Sequence, residues 1–161
     1  MKILIIRYSS IGDILVTTPV IRCIKKQLNA EIHFLCKPNF NFVLEFNPYI
    51  DKFNFKKSTL KENLDLIKSE KYDLIIDLQK SIQSRILCIR SGIKYLNYDK
   101  LNIKKWLFVN FKIDLLPSIH LVDRYFDSLK TIGIKNDGDG LDYFMKDEAQ
   151  MSLPDSYNVI T

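Results

Sequence analysis

Residues 3–19 of this 161-residue chain read Ile-Leu-Ile-Ile-Arg-Tyr-Ser-Ser-Ile-Gly-Asp-Ile-Leu-Val-Thr-Thr-Pro. The apolar run from Ile3 to Ile6 stops at Arg7, a polar turn follows, and then a new apolar pattern with helical spacing begins. A buried strand that leads through a tight turn into a helix is the first unit of an open α/β sheet. Ligands of such sheets bind outside the carboxyl ends of the strands, where this turn lies. The stretch therefore predicts an α/β fold with a binding site at the turn.

The turn itself offers hydroxyl groups, a flexible backbone and a carboxylate. Its candidate site residues are Ser9, Ser10, Gly12 and Asp13. An acid in the first turn of a helix stays ionised because the helix start carries partial positive charge. Such a carboxylate can accept a proton from an attacking hydroxyl group, which makes Asp13 a candidate general base. Asp is also a common helix cap, and the turn alone favours that structural role.

A second polar cluster follows the predicted strand 73–78. It comprises Asp77, Gln79, Lys80, Ser84 and Arg85. Because parallel strands end at the same edge of a sheet, we expect this cluster to converge with the turn at residues 9–13. Lys80 and Arg85 could then clamp a phosphate or carboxylate, the arginine through a bidentate fork. A solvated helix face, with Asp77 as the helix cap, fits the same residues equally well.

Two further segments are candidates for contact with anionic groups. His120 and Arg124 are one helical turn apart and could present paired donors, although a histidine near a helix start is more often a cap or a surface residue.

Residues 100–112 contain four lysines and no acid, interleaved with aromatic side chains. A basic aromatic helix can lie at an anionic membrane interface. An ordinary surface helix fits better, and no nucleic-acid fold signature accompanies the segment.

Composition places the chain among ordinary globular proteins, with 47% hydrophobic and 27% charged residues and a net charge of +5. The length allows one domain with a sizeable core. The three cysteines are widely spaced and apolar in context, which indicates buried free thiols rather than zinc ligands or disulfides. The sequence has neither a signal peptide nor an apolar run long enough to cross a bilayer. These features predict a cytoplasmic protein, with recruitment to a membrane surface left open.

Hydrophobic periodicity predicts an alternation of strands and helices. The predicted strands are 2–7, 31–36, 50–55, 73–78 and 93–97. The predicted helices are 12–28, 39–46, 59–70, 81–91, 100–110 and 119–132. Pro19 is expected to kink the first helix or weaken one of its turns. The fold class is therefore α/β, a Rossmann-like parallel sheet with helices on both faces. Only Gly12 of the three glycines of a dinucleotide fingerprint is present, which disfavours a nicotinamide or flavin cofactor.

The sequence also resembles a known family. The segments that carry the resemblance are Arg7-x-Ser9-Ser10-x-Gly12-Asp13, Thr17-Thr18-Pro19, Glu31 to Leu35, Asn47 to Asp51, Tyr72 to Gln79, Ser84-Arg85 and His120-x-x-Asp123-Arg124-Tyr125. In this order they resemble the family 9 glycosyltransferases, the heptosyltransferases of lipopolysaccharide core synthesis. The resemblance covers residues 1 to about 133 of the chain.

The resemblance implies a fold, a reaction and roles for residues. It implies the N-terminal half of a GT-B glycosyltransferase, with residues 1–150 as a Rossmann-like acceptor-binding domain. Residues 151–161 would be a linker and the start of a C-terminal domain that binds an ADP-sugar donor. Asp13 would be the general base for inverting transfer of heptose from ADP-heptose to the lipopolysaccharide inner core. The other candidates would bind the lipid-linked oligosaccharide acceptor.

Several expectations follow for the partners and the activity. No metal, resident cofactor or nucleic acid is implied, and the 161-residue chain is expected to be inactive by itself. Two alternatives remain open. One is a family 9 transferase that acts on another glycan, and the other is a truncated, non-catalytic acceptor-binding domain.

Overall fold

The computed structural model describes residues 1–98 and 120–146 of the chain. Five parallel strands form one sheet in the order β3-β2-β1-β4-β5. Their bounds are β1 Lys2–Ile6, β2 Glu31–Cys36, β3 Lys52–Phe55, β4 Leu74–Asp77 and β5 Tyr95–Asn97. All five predicted strands are confirmed. The central strands β1 and β4 are almost entirely apolar because they are buried on both faces.

Helices connect the strands and cover both faces of the sheet. Their bounds are α1 Ile11–Leu15, α2 Thr18–Leu28, α3 Leu60–Glu70, α4 Ile82–Ser91 and α5 Leu121–Leu129, with 3₁₀ helices at Pro38–Val43 and Lys130–Ile132. One apolar layer joins β1 to α2 and α5, and a second joins β1 to α3 and α4. The prediction of a Rossmann-like parallel sheet with helices on both faces is confirmed.

Two predicted helices differ from the structure. The helix expected over 12–28 is interrupted between Leu15 and Thr18, so that a short α1 precedes a longer α2. Pro19 lies in the first turn of α2, where its missing N–H costs nothing, and the chain restarts the helix there instead of bending it. The helix expected over 39–46 is the 3₁₀ helix Pro38–Val43. The helix predicted at 100–110 and the boundary predicted after residue 150 lie outside the described residues.

The order of the strands creates a crevice at the centre of the sheet. The chain moves from β1 outward to β2 and β3, then returns to place β4 on the other side of β1. Ile6, the last residue of β1, is in register with Asp77, the last residue of β4. The connections after β1 and β4 therefore diverge to opposite sides of the sheet from adjacent strand ends. Ligands of open α/β sheets bind in the crevice at such a reversal of strand order.

A buried arginine fastens the segment that follows α5. Arg22 on α2 is 2% exposed and forms ion pairs with Asp137 at 2.6 Å and Asp142 at 2.5 Å. Its Nη2 also donates to the carbonyl oxygen of Gly140 at 3.1 Å. The sequence shows residues 135–142 only as a polar loop, yet the acids of that loop neutralise a charge in α2.

A polar network occupies the opposite, amino-terminal edge of the sheet. His33 on β2 is buried and contacts the Tyr72 hydroxyl at 2.8 Å and the Glu31 carboxylate at 2.9 Å. Glu70, at the end of α3, accepts hydrogen bonds from Lys2 at 2.6 Å and from Lys52. His33 is thus part of the structural network, as its alternation with apolar neighbours in the strand predicts.

The Glu70 ion pairs predict how stability depends on pH. Hydrogen bonds from Lys2 and then Lys52 lower the pKa of Glu70 from 4.5 to about 2. Because the folded pKa is depressed, the ionised form stabilises the fold above the unfolded pKa, and this contribution is lost as pH falls. At pH 6, we expect the free energy of unfolding in urea to be larger for wild type than for Glu70→Gln. This difference should shrink as the pH falls from 4.5 to about 2.

The exposed Glu45 offers a matched control for this measurement. Glu45→Gln is expected to unfold like wild type at both ends of the pH range. A difference between wild type and Glu70→Gln that stays constant from pH 6 to pH 2.5 would contradict the assignment.

Candidate active site

The turn after β1 begins with a buried arginine and ends with an acid in α1. Ser10 is the N-cap of α1, and Asp13 Oδ2 accepts hydrogen bonds from the Ser10 hydroxyl at 3.1 Å and the Ser10 N–H at 3.4 Å. The capping role that the sequence allows for Asp13 is therefore real. Both of these hydrogen bonds are accepted by Oδ2, which is one of the two carboxylate oxygens.

Arg7 holds that same oxygen from the protein interior. Its Nη2 lies 2.5 Å from Asp13 Oδ2. Its Nη1 donates to the carbonyl oxygen of Leu78 at 2.6 Å, and its Nε donates to that of Ser9 at 3.0 Å. A charge that is 6% exposed needs such partners, because an unpaired buried charge is strongly destabilising.

The electrostatic consequence is an acid that is ionised at neutral pH. Partial burial raises the pKa of Asp13, but the Arg7 guanidinium and the Ser10 hydrogen bonds outweigh burial and hold it below its ordinary value of 3.8. Asp13 Oδ1 forms no hydrogen bond or ion pair with any described residue. The side chain is 41% exposed, so one oxygen is fixed and the other can accept a proton from a bound molecule.

The end of β4 is organised by Asp77, which is completely buried. Its Oδ1 accepts from the backbone N–H groups of Gln79 at 3.0 Å and Lys80 at 2.9 Å, and its Oδ2 accepts from the Ser84 hydroxyl at 2.8 Å. Ser84 in turn bonds the backbone N–H of Ser81 at the start of α4. Asp77 therefore shapes the turn between β4 and α4.

The two turns meet, as predicted from the topology. Gln79 Oε1 accepts a hydrogen bond from the Tyr8 N–H at 2.9 Å, and Arg7 reaches the carbonyl oxygen of Leu78. Between them lies an open crevice. It is lined by Arg7, Ser9, Ser10, Asp13, Gln79, Tyr98, Leu121 and Arg124. The crevice is polar, has an ionised acid on its wall and is large enough for a sugar unit.

The structure brings together five of the nine predicted site residues, namely Ser9, Ser10, Asp13, Gln79 and Arg124. Gly12 lies in α1 beside them, and a Cβ added there would meet nothing within 4 Å. Substrate approach to the Gly12 backbone is thus sterically open. Asp13 therefore lies at the carboxyl edge of the sheet, as the sequence predicts.

Three predicted residues lie away from the crevice wall. Lys80 Nζ donates to the Tyr98 carbonyl oxygen at 2.5 Å, so its charge is turned to the protein. Arg85 is on the exposed face of α4. His120 caps α5 through its Nδ1, which accepts from the Val122 N–H at 3.3 Å, and it lines a different cavity. The geometry therefore does not pair Lys80 with Arg85 as a clamp or His120 with Arg124.

The sequence did not predict that Tyr98 lines the crevice or that Arg7 holds Asp13. Tyr98 and Tyr125 pack edge to face with ring centroids 4.7 Å apart, and the Arg124 guanidinium lies 5.5 Å from the Tyr98 ring centroid. Burial raises the pKa of Tyr98, so its hydroxyl stays neutral. The sequence feature that could have indicated the role of Arg7 is its position directly after a buried strand. A buried arginine needs a hydrogen-bond acceptor or an acid as a partner.

The comparisons with solved structures bear on the fold. A family 9 glycosyltransferase from Veillonella parvula superposes with a TM-score of 0.68 at 20% identity, over 91% of this chain and 45% of that chain. The heptosyltransferase WaaC of E. coli, solved with ADP, gives a TM-score of 0.65 at 20% identity, over 88% of this chain and 50% of that one. These likenesses establish the α/β architecture of a GT-B half.

The sequence comparison agrees with them. Lipopolysaccharide heptosyltransferase 1 of Campylobacter coli is 28% identical to this chain over an aligned length of 167 residues. The chain is thus similar in sequence to a lipopolysaccharide heptosyltransferase and similar in fold to family 9 glycosyltransferases. The resemblance inferred from the sequence motifs is thereby confirmed, although no model of a known protein family matches the sequence.

The match to family 9 is partial in length. The alignment covers 91% of this chain but 48% of the Campylobacter coli relative, so the chain spans about half the length of the curated relative it matches. Among the residues described, no helix is long and apolar enough to cross a membrane. The basic aromatic segment 100–112 lies outside the described residues, and the membrane contact predicted for it stays a prediction.

Proposed function

We propose that this chain is the acceptor-binding half of a family 9 glycosyltransferase. In this proposal the complete enzyme transfers heptose from ADP-heptose to the lipopolysaccharide inner core and inverts the anomeric centre. The Campylobacter coli relative, named as a lipopolysaccharide heptosyltransferase, supports the reaction class. ADP-heptose is a donor substrate here, not a resident cofactor, and the acceptor is a lipid-linked oligosaccharide at the cytoplasmic side of the membrane.

One observation carries the proposal. Asp13 Oδ2 is held by Arg7 and Ser10, while Oδ1 remains open at the crevice between β1 and β4. In an inverting transfer, the acceptor hydroxyl oxygen bonds to the anomeric carbon as the bond from that carbon to the leaving phosphate breaks. The hydroxyl proton passes to a base, and in this proposal Asp13 Oδ1 accepts it.

The other crevice residues would bind and orient the acceptor. Ser9 and Ser10 offer hydroxyl groups, Gln79 offers an amide, and Arg124 offers a guanidinium. Arg7 would be a positioning residue, because it contacts Asp13 and two backbone carbonyl groups. Donor binding and neutralisation of the leaving diphosphate are assigned to the other half of the enzyme, consistent with the half-length match.

The Arg7–Asp13 pair makes a prediction that can be tested on the chain itself. In Arg7→Met the pKa of Asp13 is expected to rise, because the main stabilising charge on its carboxylate is gone. Arg7→Lys keeps a positive charge and should preserve most of the depression. A ¹³C NMR titration of the Asp13 carboxyl measures both variants, and an unchanged pKa in Arg7→Met would show that Arg7 does not control this acid.

The proposed reaction is tested with the protein from the complete reading frame that contains this chain. Reading the gene downstream of codon 161 shows whether a donor-binding half is encoded. Purified protein is then incubated with de-acylated inner-core lipopolysaccharide and either ADP-heptose or other nucleotide-sugars. Heptose transfer from ADP-heptose supports the proposal.

The two alternatives give different results in the same assay. Transfer from ADP-heptose, or from another donor, only to a different glycan would identify a family 9 transferase with another substrate. A reading frame that ends at codon 161, together with acceptor binding and no turnover, would identify a non-catalytic acceptor-binding domain.

A further inference from the structure

Helix α4 presents apolar side chains on the face opposite to its core contacts. Ile82, Ile86 and Ile89 are 81%, 40% and 61% exposed, whereas Leu87 and Cys88 are buried against the sheet. At about 100° per residue, the three isoleucines fall within about 60° of one another on the helix surface. They form a continuous row along the outside of α4, which is here called the isoleucine row.

Positive charges flank the isoleucine row on both sides. Arg85 and Arg90 each lie about 40° around the helix from the nearest isoleucine, by the same helical geometry. Both are exposed, neither forms an ion pair with any residue that the structure describes, and residues 82–91 contain no acid. Exposed apolar side chains bordered by arginines suit contact with an anionic membrane surface, where apolar burial and attraction to anionic lipids add together.

The apolar surface continues from the row into a neighbouring cavity. Ile86 also lines an open cavity together with Leu60, Leu87, Lys56 and polar side chains that include Asn63 and Gln83. The Lys56 ammonium group lies 5.4 Å from the Tyr8 ring centroid beside this cavity. The cavity therefore adds some apolar surface beside the row and a third cation near its edge.

The size of the row favours a bilayer over a protein partner. A stable protein interface buries about 800 Å² on each partner and involves about 20–30 residues on each side. The row offers three side chains on a helix about 15 Å long. Interfacial binding needs less, because apolar contact and attraction between arginines and lipid phosphates add together.

We propose that the outer face of α4 is a membrane-docking surface for anionic phospholipid bilayers. The isoleucine row contacts the boundary between head groups and acyl chains, and Arg85 and Arg90 contact lipid phosphates. This places the membrane contact on α4, on the face of the sheet remote from α2 and α5. The inference does not depend on the reaction proposed for Asp13.

The test is co-sedimentation of the chain with vesicles of phosphatidylethanolamine and phosphatidylglycerol. Wild type is expected to bind vesicles with 30% phosphatidylglycerol and to dissociate in 0.5 M NaCl. The triple variant Ile82→Ser/Ile86→Ser/Ile89→Ser should bind at least about tenfold more weakly, because apolar burial is lost. Arg85→Gln/Arg90→Gln should bind about 30-fold more weakly, since each arginine near the surface contributes about fivefold.

Phe42→Ser/Phe46→Ser is the matched control, because these side chains are also exposed but lie outside α4. It should bind vesicles like wild type, and circular dichroism should show all variants folded. Wild type that does not bind, or equal binding of wild type and either α4 variant, would overturn the proposal. If the α4 variants bind like wild type, and a variant whose lysines at 100–112 are replaced no longer binds vesicles, the contact belongs to that segment instead of α4. A dimer that the triple serine variant dissociates would show that the row binds a second copy, which also overturns it.

Discussion

Asp13→Asn in the full-length enzyme is expected to lower turnover by about 10²–10⁴, the usual contribution of a general base. Asparagine keeps the shape of the side chain and an oxygen for Ser10 and Arg7, but it cannot accept a proton. Acceptor and donor affinities should change little, because the lost interaction acts mainly as the proton is transferred. Initial rates with saturating substrates, together with binding isotherms, separate these effects.

The stability cost of Asp13→Asn is expected to exceed that of a simple cap. Capping alone predicts a loss below about 1 kcal/mol, because Asn caps helices about as well as Asp. The structure adds the buried Arg7, which loses its counter-charge, so we expect about 1–3 kcal/mol. Rates are therefore compared well below the melting temperature of the variant.

Glu62 provides a matched control for this experiment. It occupies the same position in α3 that Asp13 occupies in α1, and it accepts hydrogen bonds from the N–H and hydroxyl of its N-cap residue Thr59. It lies outside the crevice, so Glu62→Gln should leave turnover unchanged. An Asp13→Asn enzyme with near-normal turnover would show that Asp13 is only a cap and would remove the proposed mechanism.

Asp77→Ala is expected to cause the largest loss of stability, about 3–5 kcal/mol, because it removes a buried carboxylate from several donors at once. The N–H groups of Gln79 and Lys80 and the Ser84 hydroxyl all donate to Asp77. Without it, the turn after β4 loses the contacts that fix its conformation. Urea unfolding followed by circular dichroism measures the change.

Two further variants sharpen this prediction. Asp77→Asn keeps one acceptor oxygen and should lose less stability than Asp77→Ala. Asp65→Ala removes an exposed acid from α3 and should unfold like wild type. Asp77→Ala that unfolds at the same urea concentration as Asp65→Ala would contradict the structural role given to Asp77.

The sequence predicts the sheet well because the relevant signals are local. The four consecutive apolar residues Ile3 to Ile6 define β1, and the apolar run Leu74 to Ile76 defines β4. Parallel topology then requires the two turns to meet, and the bond from the Tyr8 N–H to Gln79 confirms this. The sequence did not show that the helix is interrupted between α1 and α2, because Pro19 is compatible either with a kink inside one helix or with the first turn of a new helix.

The rest of the site depends on contacts between residues that are distant in sequence. Arg7 contacts Leu78 and Tyr125, which are 71 and 118 residues away. No local pattern specifies such partners, so the sequence could not show that Lys80 turns towards Tyr98 while Arg124 faces the crevice. His120 was ambiguous for a similar reason, because its role as a cap depends on where α5 begins.

In the proposed function, the crevice between β1 and β4 binds the acceptor. The most direct test titrates de-acylated inner-core lipopolysaccharide into the ¹⁵N-labelled chain and follows backbone amide shifts by NMR. We predict saturable shifts concentrated at Ser9, Ser10, Asp13 and Gln79, with the amides of α4 unaffected. Saturable shifts confined to the cavity beside His120, or no shifts at millimolar saccharide with the chain folded, would contradict the account.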